Sequence, residues 1–302
     1  MQCFLCHKPI SGRYINAMDH EWHPECFVCA ACQKPFDGSF QVHEGKPYHA
    51  ACFHERFSPR CAIGGEPIRA AYLQNDWGDV YCPDHAKDCP VCFSCHRPIC
   101  QRLTRGGVAY PDGRAMCNQC RKTAIDQPER GAAAVALVRR TLAKHGIDLK
   151  DVHVPIRLVL QPELDALNSK RKGAKTCGMM RSRIFTEDKR VVKRVVEEIL
   201  VLRGLPEEHF ASIMAHELGH AWLFLNEYPP LPDAVEEGVC ELCNALWLRS
   251  LAATPSALRR LKIMAASDDA VYGRGFRAAD KALQRLPLST LLAFVRHQRR
   301  FP

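Results

Sequence analysis

Residues 3–52 read CFLCHKPISGRYINAMDHEWHPECFVCAACQKPFDGSFQVHEGKPYHAAC. The residues that recur at regular spacing are Cys3, Cys6, His23, Cys26, Cys29, Cys32, His49 and Cys52, with successive gaps of 2, 16, 2, 2, 2, 16 and 2 residues. Two thiolates separated by one tight turn reach the same ion, and a structural zinc site takes four Cys or His ligands. The spacing therefore predicts two tetrahedral zinc sites, one built from Cys3, Cys6, His23 and Cys26, the other from Cys29, Cys32, His49 and Cys52. Scattered buried thiols would leave the repeated gaps unexplained.

This pattern resembles a LIM domain, in which two zinc knuckles are joined by a two-residue spacer. Trp22, Phe27 and Phe53 fit the small apolar core that the family places between its sites. His49 stands where cysteine is commoner, and histidine is an equally competent zinc ligand. Neither half is large enough to bury much apolar surface, so metal binding is expected to supply much of the folding free energy.

An imperfect copy follows. Cys92, Cys95, Cys117 and Cys120 repeat the two-residue gap on both sides and predict a four-thiolate site. Cys61, Cys82 and His85 predict a damaged one, because Gly64 occupies the place of the second cysteine. Cys89 is the nearest spare thiol that could complete that site; the alternative is a degenerate site beside a merely buried Cys89. Cys100, Cys177, Cys240 and Cys243 receive no role. Closed zinc sites offer no open coordination position, so these modules are not expected to catalyse; the LIM resemblance implies a protein-binding surface.

Working outward, fourteen of the 17 cysteines lie within the first 120 of 302 residues. Such crowding marks either a secreted disulfide framework or zinc sites in a reducing compartment. No basic stretch followed by an apolar run opens the chain, which favours zinc and a cytoplasmic location. The composition, 47% hydrophobic and 25% charged, is that of a globular protein. No apolar run reaches the ~20 residues of a membrane span. The net charge of +9 raises the question of a nucleic-acid partner. The basic residues are interspersed with acids, and thiolate ligands lower the effective charge, so the composition argues against one.

Past Cys120 the texture changes. Residues 125–131 read as a linker containing Gln127-Pro128-Glu129-Arg130-Gly131. Ala132 to His145 has helical periodicity, Val154 to Leu160 alternates as a strand does, and Thr176 to Phe185 is a weaker strand candidate. Val195 to Leu202 is ambiguous between strand and helix. Pro206-Glu207-Glu208 has the marks of a helix start. The helix it opens, Pro206 to Leu225, contains His216-Glu217-Leu218-Gly219-His220. Histidines at i and i+4 share one helix face and can hold one metal, while Glu217 can serve as a general base in the same cleft. A second helix, Asp233 to Ser250, offers Glu236 or Glu237 as the third ligand of a His2Glu catalytic site. Glu241, one turn beyond Glu237, is placed to accept the second ring N–H of a ligand histidine. Tyr272, in a glycine-flanked loop, is the favoured donor to an oxyanion; Arg277 and His297 are the others.

The stretch Val235-Glu236-Glu237-Gly238-Val239-Cys240 resembles the glutamate helix of gluzincin peptidases, in which the ligand directly precedes the glycine; this resemblance points to Glu237. A LIM domain and a LIM-like copy, followed by HExxH, VEEGVC and VYGRGFRAA, resemble the DA1 family of LIM-containing peptidases, known best from plants. The resemblance spans Cys3 to Phe301. It implies His216 and His220 as zinc ligands, Glu217 as the catalytic residue, and a substrate set of regulatory proteins. The plant proteins carry ubiquitin-interacting motifs ahead of the LIM domain; here the LIM pattern starts at Cys3, which leaves ubiquitin dependence unsupported, and the compact chain, rich in Ala and Arg, looks more like a bacterial relative.

The expected architecture is α+β. Tandem zinc-ribbon-like LIM modules would occupy residues 1–57 and 58–124, with a linker at 125–131. A mainly helical, zincin-like metallopeptidase domain with a small sheet would occupy 132–302. The expected cofactors are one catalytic and three or four structural Zn2+ ions. The expected activity is zinc-dependent endopeptidase action on proteins recruited by the LIM modules, with no membrane partner. The alternative is a LIM adaptor whose peptidase-like domain is an inactive scaffold.

Overall fold

The computed structural model describes residues 1–168 and 176–302, which fall into two compact units, 1–89 and 90–302. In the first unit each zinc-ligand cluster sits beside a small antiparallel hairpin: β1 (Ile15–Ala17) with β2 (His20–Trp22), β3 (Gln41–His43) with β4 (Lys46–Tyr48), and β5 (Leu73–Gln74) with β6 (Val80–Tyr81). Short helices α1 (Ala50–Phe57) and α2 (Pro83–Lys87) follow the second and third hairpins. Trp22, Phe27 and Tyr48 are buried, and Phe27 packs edge-on or tilted against Trp22, Phe36 and Phe40 at 5.1–5.4 Å between ring centres. Phe53 is only half-buried on α1, against His43 and Phe57. This is a core of a few rings, in keeping with a unit that metal must help to hold together.

The second unit runs α3 (Gln101–Thr104), β7 (Gly107–Ala109), β8 (Ala115–Cys117), α4 (Asn118–Arg121), β9 (Ala124–Ile125), α5 (Pro128–Lys144), β10 (Ile156–Val159), α6 (Gln161–Leu167), β11 (Gly178–Glu187), β12 (Arg190–Leu202) and β13 (Leu205–Pro206). It ends with α7 (Glu207–Leu225), α8 (Asp233–Arg249), α9 (Pro255–Ala266), α10 (Tyr272–Leu283) and α11 (Leu288–Gln298). Its sheet has the order β10-β12-β11, with β10 and β12 parallel and β11 and β12 antiparallel. The ambiguous Val195 to Leu202 segment is the end of the central strand β12. Its last four residues, Ile199 to Leu202, are fully buried between both neighbours and the helices, and continuous burial removes the alternation that marks a half-exposed strand. Helix α7 packs against β11, β12, α5 and α8. It is buried nearly all round, which explains why its apolar positions show little periodicity.

Two expectations about domain organisation are corrected. Residues 125–131 are not a linker. Ile125 is 3% exposed and pairs with Leu205 in a short antiparallel ladder, while Pro128 occupies the first turn of α5. Gly131 is packed so closely that a β-carbon there would lie 2.7 Å from the Phe210 ring. The Pro-Glu pair is a helix start, where Pro's missing N–H costs nothing. The expected module 58–124 is also divided, because the compact units part between Cys89 and Pro90. The Cys92–Cys120 site therefore belongs to the same unit as the HExxH helix. Ser94, at the tip of its knuckle, pairs with Nδ1 of His209 on α7 at 3.0 Å and accepts from Nη2 of Arg260 on α9 at 3.0 Å. Below it, the wholly buried Asp112 side chain pairs with Arg114 at 2.8 Å, and Arg114 also donates to the Arg203 carbonyl. Among the described residues, no helix is long and apolar enough to cross a membrane.

Candidate active site and zinc sites

Among the described residues, five groups of metal-binding side chains have their ligand atoms mutually within 4.8 Å. Four are the expected sets: Cys3, Cys6, His23 and Cys26; Cys29, Cys32, His49 and Cys52; Cys92, Cys95, Cys117 and Cys120; and the three residues Cys61, Cys82 and His85. Burial alone would raise the thiols of Cys3, Cys29 and Cys61. Backbone N–H donors from the turn and from the residue at the far hairpin end outweigh it, and each falls to about 6. One thiol of each site thus favours its thiolate, while burial and that neighbouring thiolate push Cys26 up to about 12, Cys52 up to about 11 and Cys82 upward. Cys89 does not join the third set; its Sγ lies on the carbonyl of His85 at 3.3 Å, within the turn at the end of α2.

The fifth group is His216, His220 and Glu237. Both histidines lie on α7 one turn apart, and Glu237 comes from α8, which packs alongside. Nε2 of His216 is 3.3 Å from Nε2 of His220 and 3.1 Å from Oε2 of Glu237; the third side, His220 to Glu237, is 3.4 Å. The outer ring nitrogens face other carboxylates: Nδ1 of His216 lies 3.3 Å from Glu241, and Nδ1 of His220 lies 3.0 Å from Glu236. With the outer nitrogens protonated and donating to these carboxylates, three lone-pair donors converge on one point. That is the donor set of a divalent cation, and the site fits zinc on its chemistry. Burial opposes charge on His216, but Glu241 and Glu237 lift its affinity for a proton well above the ordinary histidine range. A cation there would benefit from the same carboxylates.

Glu236, considered above as an alternative ligand, therefore sits on the outer face of His220 and not at the convergence point. Glu241 is braced in turn: it accepts from Asn244 at 3.1 Å, and Asn244 accepts from Ser212 at 2.6 Å. Two glycines make the helix packing possible. A β-carbon at Gly238 would lie 2.6 Å from the Gly275 carbonyl oxygen, and one at Gly219 would lie 3.1 Å from the Cα of Cys240. The glycine after Glu237 is thus a close-approach position between α8 and α10.

A cavity of about 620 Å³ opens onto this group, within the range of small-ligand and substrate clefts. His216, Glu217, His220, Glu237 and Tyr272 line it, together with residues 176–180 and Ser182 of the β11 segment. Glu217 is buried, and burial raises its carboxyl above the usual glutamate range while a backbone hydrogen bond from Met180 works the other way. Tyr272 stands 6.0 Å from the His216 ring, centre to centre, at the start of α10, where Asp269 caps the Val271 and Tyr272 amides at 2.8 Å. Arg277 is committed to the carbonyls of Ala265 and Ser267, and His297 is exposed on α11; neither is among the described residues lining the cavity. The contribution of β11, through Gly178 and Met180, has no counterpart in the sequence analysis, because it arises from a strand that reaches Glu217 from almost 40 residues away in the chain.

Comparison with known proteins finds two family models along the chain. The LIM domain family model matches residues 3–57, and the DA1-like model (Protein DA1) matches residues 167–267, which include the HExxH helix and Glu237. Protein DA1 of Arabidopsis thaliana is 30% identical over 99% of this chain and 68% of its own length. This chain belongs to the DA1 family. Other DA1-family relatives are Protein DA1-related 1 of Arabidopsis thaliana, 32% identical over 93% of this chain and 56% of its own length, and LIM domain-containing protein HDR3 of Oryza sativa subsp. japonica, 31% identical over 82% and 56%. The chain thus spans between about half and two thirds of these DA1 relatives' lengths.

Proposed function

We infer that the second unit is a zinc endopeptidase of the gluzincin type, acting on proteins that the LIM modules recruit. The observation that carries this reading is the convergence of His216, His220 and Glu237 beside a buried Glu217 on the wall of an open cavity. A zinc ion held by those three residues would supply Lewis acidity toward a water molecule and a scissile carbonyl. Glu217 takes the proton from the attacking water and delivers it to the departing amine. Its raised carboxyl suits both halves of that task, since a catalytic acid–base works best when its proton affinity approaches the working pH. Tyr272 faces the same cavity and donates its hydroxyl to the oxygen that becomes negative as water adds. Glu241 and Glu236 hold the two imidazoles in the tautomer that leaves Nε2 free to bind metal. The LIM domain offers exposed apolar residues, Phe4, Leu5, Tyr14 and Val42, for contacts with a protein partner.

The test compares wild type with Glu217→Gln on a pool of denatured protein substrates, with zinc counted in both. The variant is expected to keep its full zinc content and to lose cleavage. Equal cleavage by both proteins would overturn the reading.

A further inference from the structure

The four knuckles of the chain share one backbone. In each, the amide of the first cysteine donates to the carbonyl of the fifth residue beyond it: Cys3 to Lys8, Cys29 to Lys34, Cys61 to Glu66 and Cys92 to Arg97, at 2.9–3.0 Å. In each, the residue after the second-cysteine position adopts a left-handed conformation: His7, Gln33, Gly65 and His96. The Cys61 knuckle therefore folds like the others although Gly64 stands where they have Cys6, Cys32 and Cys95. It differs at one further position. The fifth residue is basic in the three complete knuckles and acidic, Glu66, in the one that lacks a thiol.

The side chains show what that exchange does. A β-carbon at Gly64 would overlap Oε2 of Glu66 and would lie 2.6 Å from Cε1 of His85. The carboxylate thus fills the space into which the missing cysteine would project. In the complete LIM knuckles the histidine places Nδ1 3.3 Å from the second cysteine and Nε2 on a proline carbonyl, Pro9 or Pro35. In the third, His85 has Nδ1 3.3 Å from Cys61, and Nε2 lies 3.0 Å from Oε1 of Glu66. One carboxylate oxygen therefore faces the outer nitrogen of His85 and the other the space of the absent thiol; as placed, Glu66 lies outside the group of ligand atoms mutually within 4.8 Å, so binding a metal requires its carboxylate to turn inward.

We propose that Glu66 is the fourth ligand of the third zinc site, making it a Cys2HisGlu site composed of Cys61, Cys82, His85 and Glu66. Zinc takes carboxylate oxygen as well as thiolate sulfur and imidazole nitrogen in a tetrahedral shell. Two thiolates, one carboxylate and one neutral imidazole also carry the same total charge as the Cys3His sets of the first two sites, so the local balance of the module is conserved. Cys89, held on the His85 carbonyl, is not needed. The proposal concerns a structural ion and stands or falls independently of peptidase activity.

The experiment counts zinc retained per full-length chain after challenge with a chelator, in wild type, Cys61→Ser, Glu66→Gln, Glu66→Ala, Cys89→Ser and the double variant Gly64→Cys/Glu66→Ala. Glu66→Gln is decisive, because a carboxamide keeps the shape and the polar oxygen beside Nε2 of His85 but is a poor zinc ligand. Expected is the loss of one zinc in Cys61→Ser, Glu66→Gln and Glu66→Ala, full retention in Cys89→Ser, and recovery in the double variant, whose new thiol restores the ordinary site. The cobalt-substituted double variant should gain one thiolate's charge-transfer absorption over wild type. Zinc retained by Glu66→Gln, zinc lost by Cys89→Ser, or an equal count in wild type and Cys61→Ser would each overturn the assignment. Should Glu66→Ala lose more than one ion through misfolding, failure of the double variant to recover it would also overturn it.

Discussion

Gly178 offers a way to move Glu217, the proposed acid–base, without touching any of the three side chains that converge beside it. It opens β11 and lies against Glu217: a β-carbon at this position would sit 2.8 Å from Oε1 of Glu217, 3.0 Å from its Cγ, and 2.5 Å from Cγ2 of Ile213. Ordinary van der Waals contact begins near 3.4 Å, so Gly178→Ala requires the Glu217 carboxylate to retreat by about 0.6 Å and Ile213 by about 0.9 Å. A 1 Å misplacement of a reacting group costs on the order of 100-fold in rate. The expected loss in kcat is therefore roughly 10- to 100-fold, or about 1.4–2.7 kcal/mol of barrier. Overpacking should also lower stability by about 1–3 kcal/mol. The assay pairs steady-state cleavage kinetics with zinc content and thermal unfolding, using Glu217→Gln as the floor. Adding Ile213→Ala separates the two contacts. It removes the methyl overlap and should restore stability, while leaving the carboxylate displaced and the rate low. A folded, zinc-loaded Gly178→Ala variant with kcat within about twofold of wild type would refute the positioning argument, since that argument predicts at least a tenfold loss. Full recovery of rate in the double variant would refute it as well.

Two further predictions follow from the surroundings of the site. Glu241→Gln removes the anionic partner of His216 Nδ1 while preserving its shape, and should weaken retention of the active-site zinc by about 10- to 100-fold, as read by activity against buffered free zinc. An unchanged zinc dependence would show that Glu241 does not tune His216. Cys117→Ser should destabilise the unit that carries the HExxH helix and reduce cleavage, because the Cys92–Cys120 site is buried against α7 and α9 through Ser94; Cys3→Ser, which lies in the other compact unit, should leave the unfolding of residues 90–302 unchanged. Limited proteolysis with mass mapping distinguishes the two, and equal effects of both substitutions would contradict the division of the chain at Cys89.

The parts of this protein that could be read from its sequence are those whose geometry is local. Knuckle ligands lie two residues apart on one turn, the paired histidines lie one helical turn apart, and the proline–acid pair at Pro206-Glu207 marks a helix start. In each case spacing alone dictates which side chains face the same point. The linker reading of 125–131 went wrong where the deciding partner is remote, because Ile125 is ordered by pairing with Leu205, and nothing near Ile125 signals that ladder. Glu236 and Glu237 are adjacent on α8, and only the packing of that helix on α7 sends one carboxylate to the inner ring nitrogens and the other to the outer one.

The same contrast bears on why the fourth cysteine-rich site shares a unit with the HExxH helix. Its knuckle is closed and has no catalytic position, yet Ser94 joins α7 to α9 from its tip, and Arg114, six residues before the ligand Cys120, reaches the carbonyl of Arg203 at the end of the central strand. Those contacts fix the start of α7, about two turns of which carry the chain from His209 to His216 and a third to His220. A helix that enters the site from a metal-braced end has fewer ways to shift along its axis than one entering from a free loop, and the proposed chemistry tolerates little such movement. The knuckle motif thus serves two ends in one chain. In residues 1–89 it builds small modules with exposed apolar side chains, and in residues 90–302 it braces the helix that brings His216, Glu217 and His220 together.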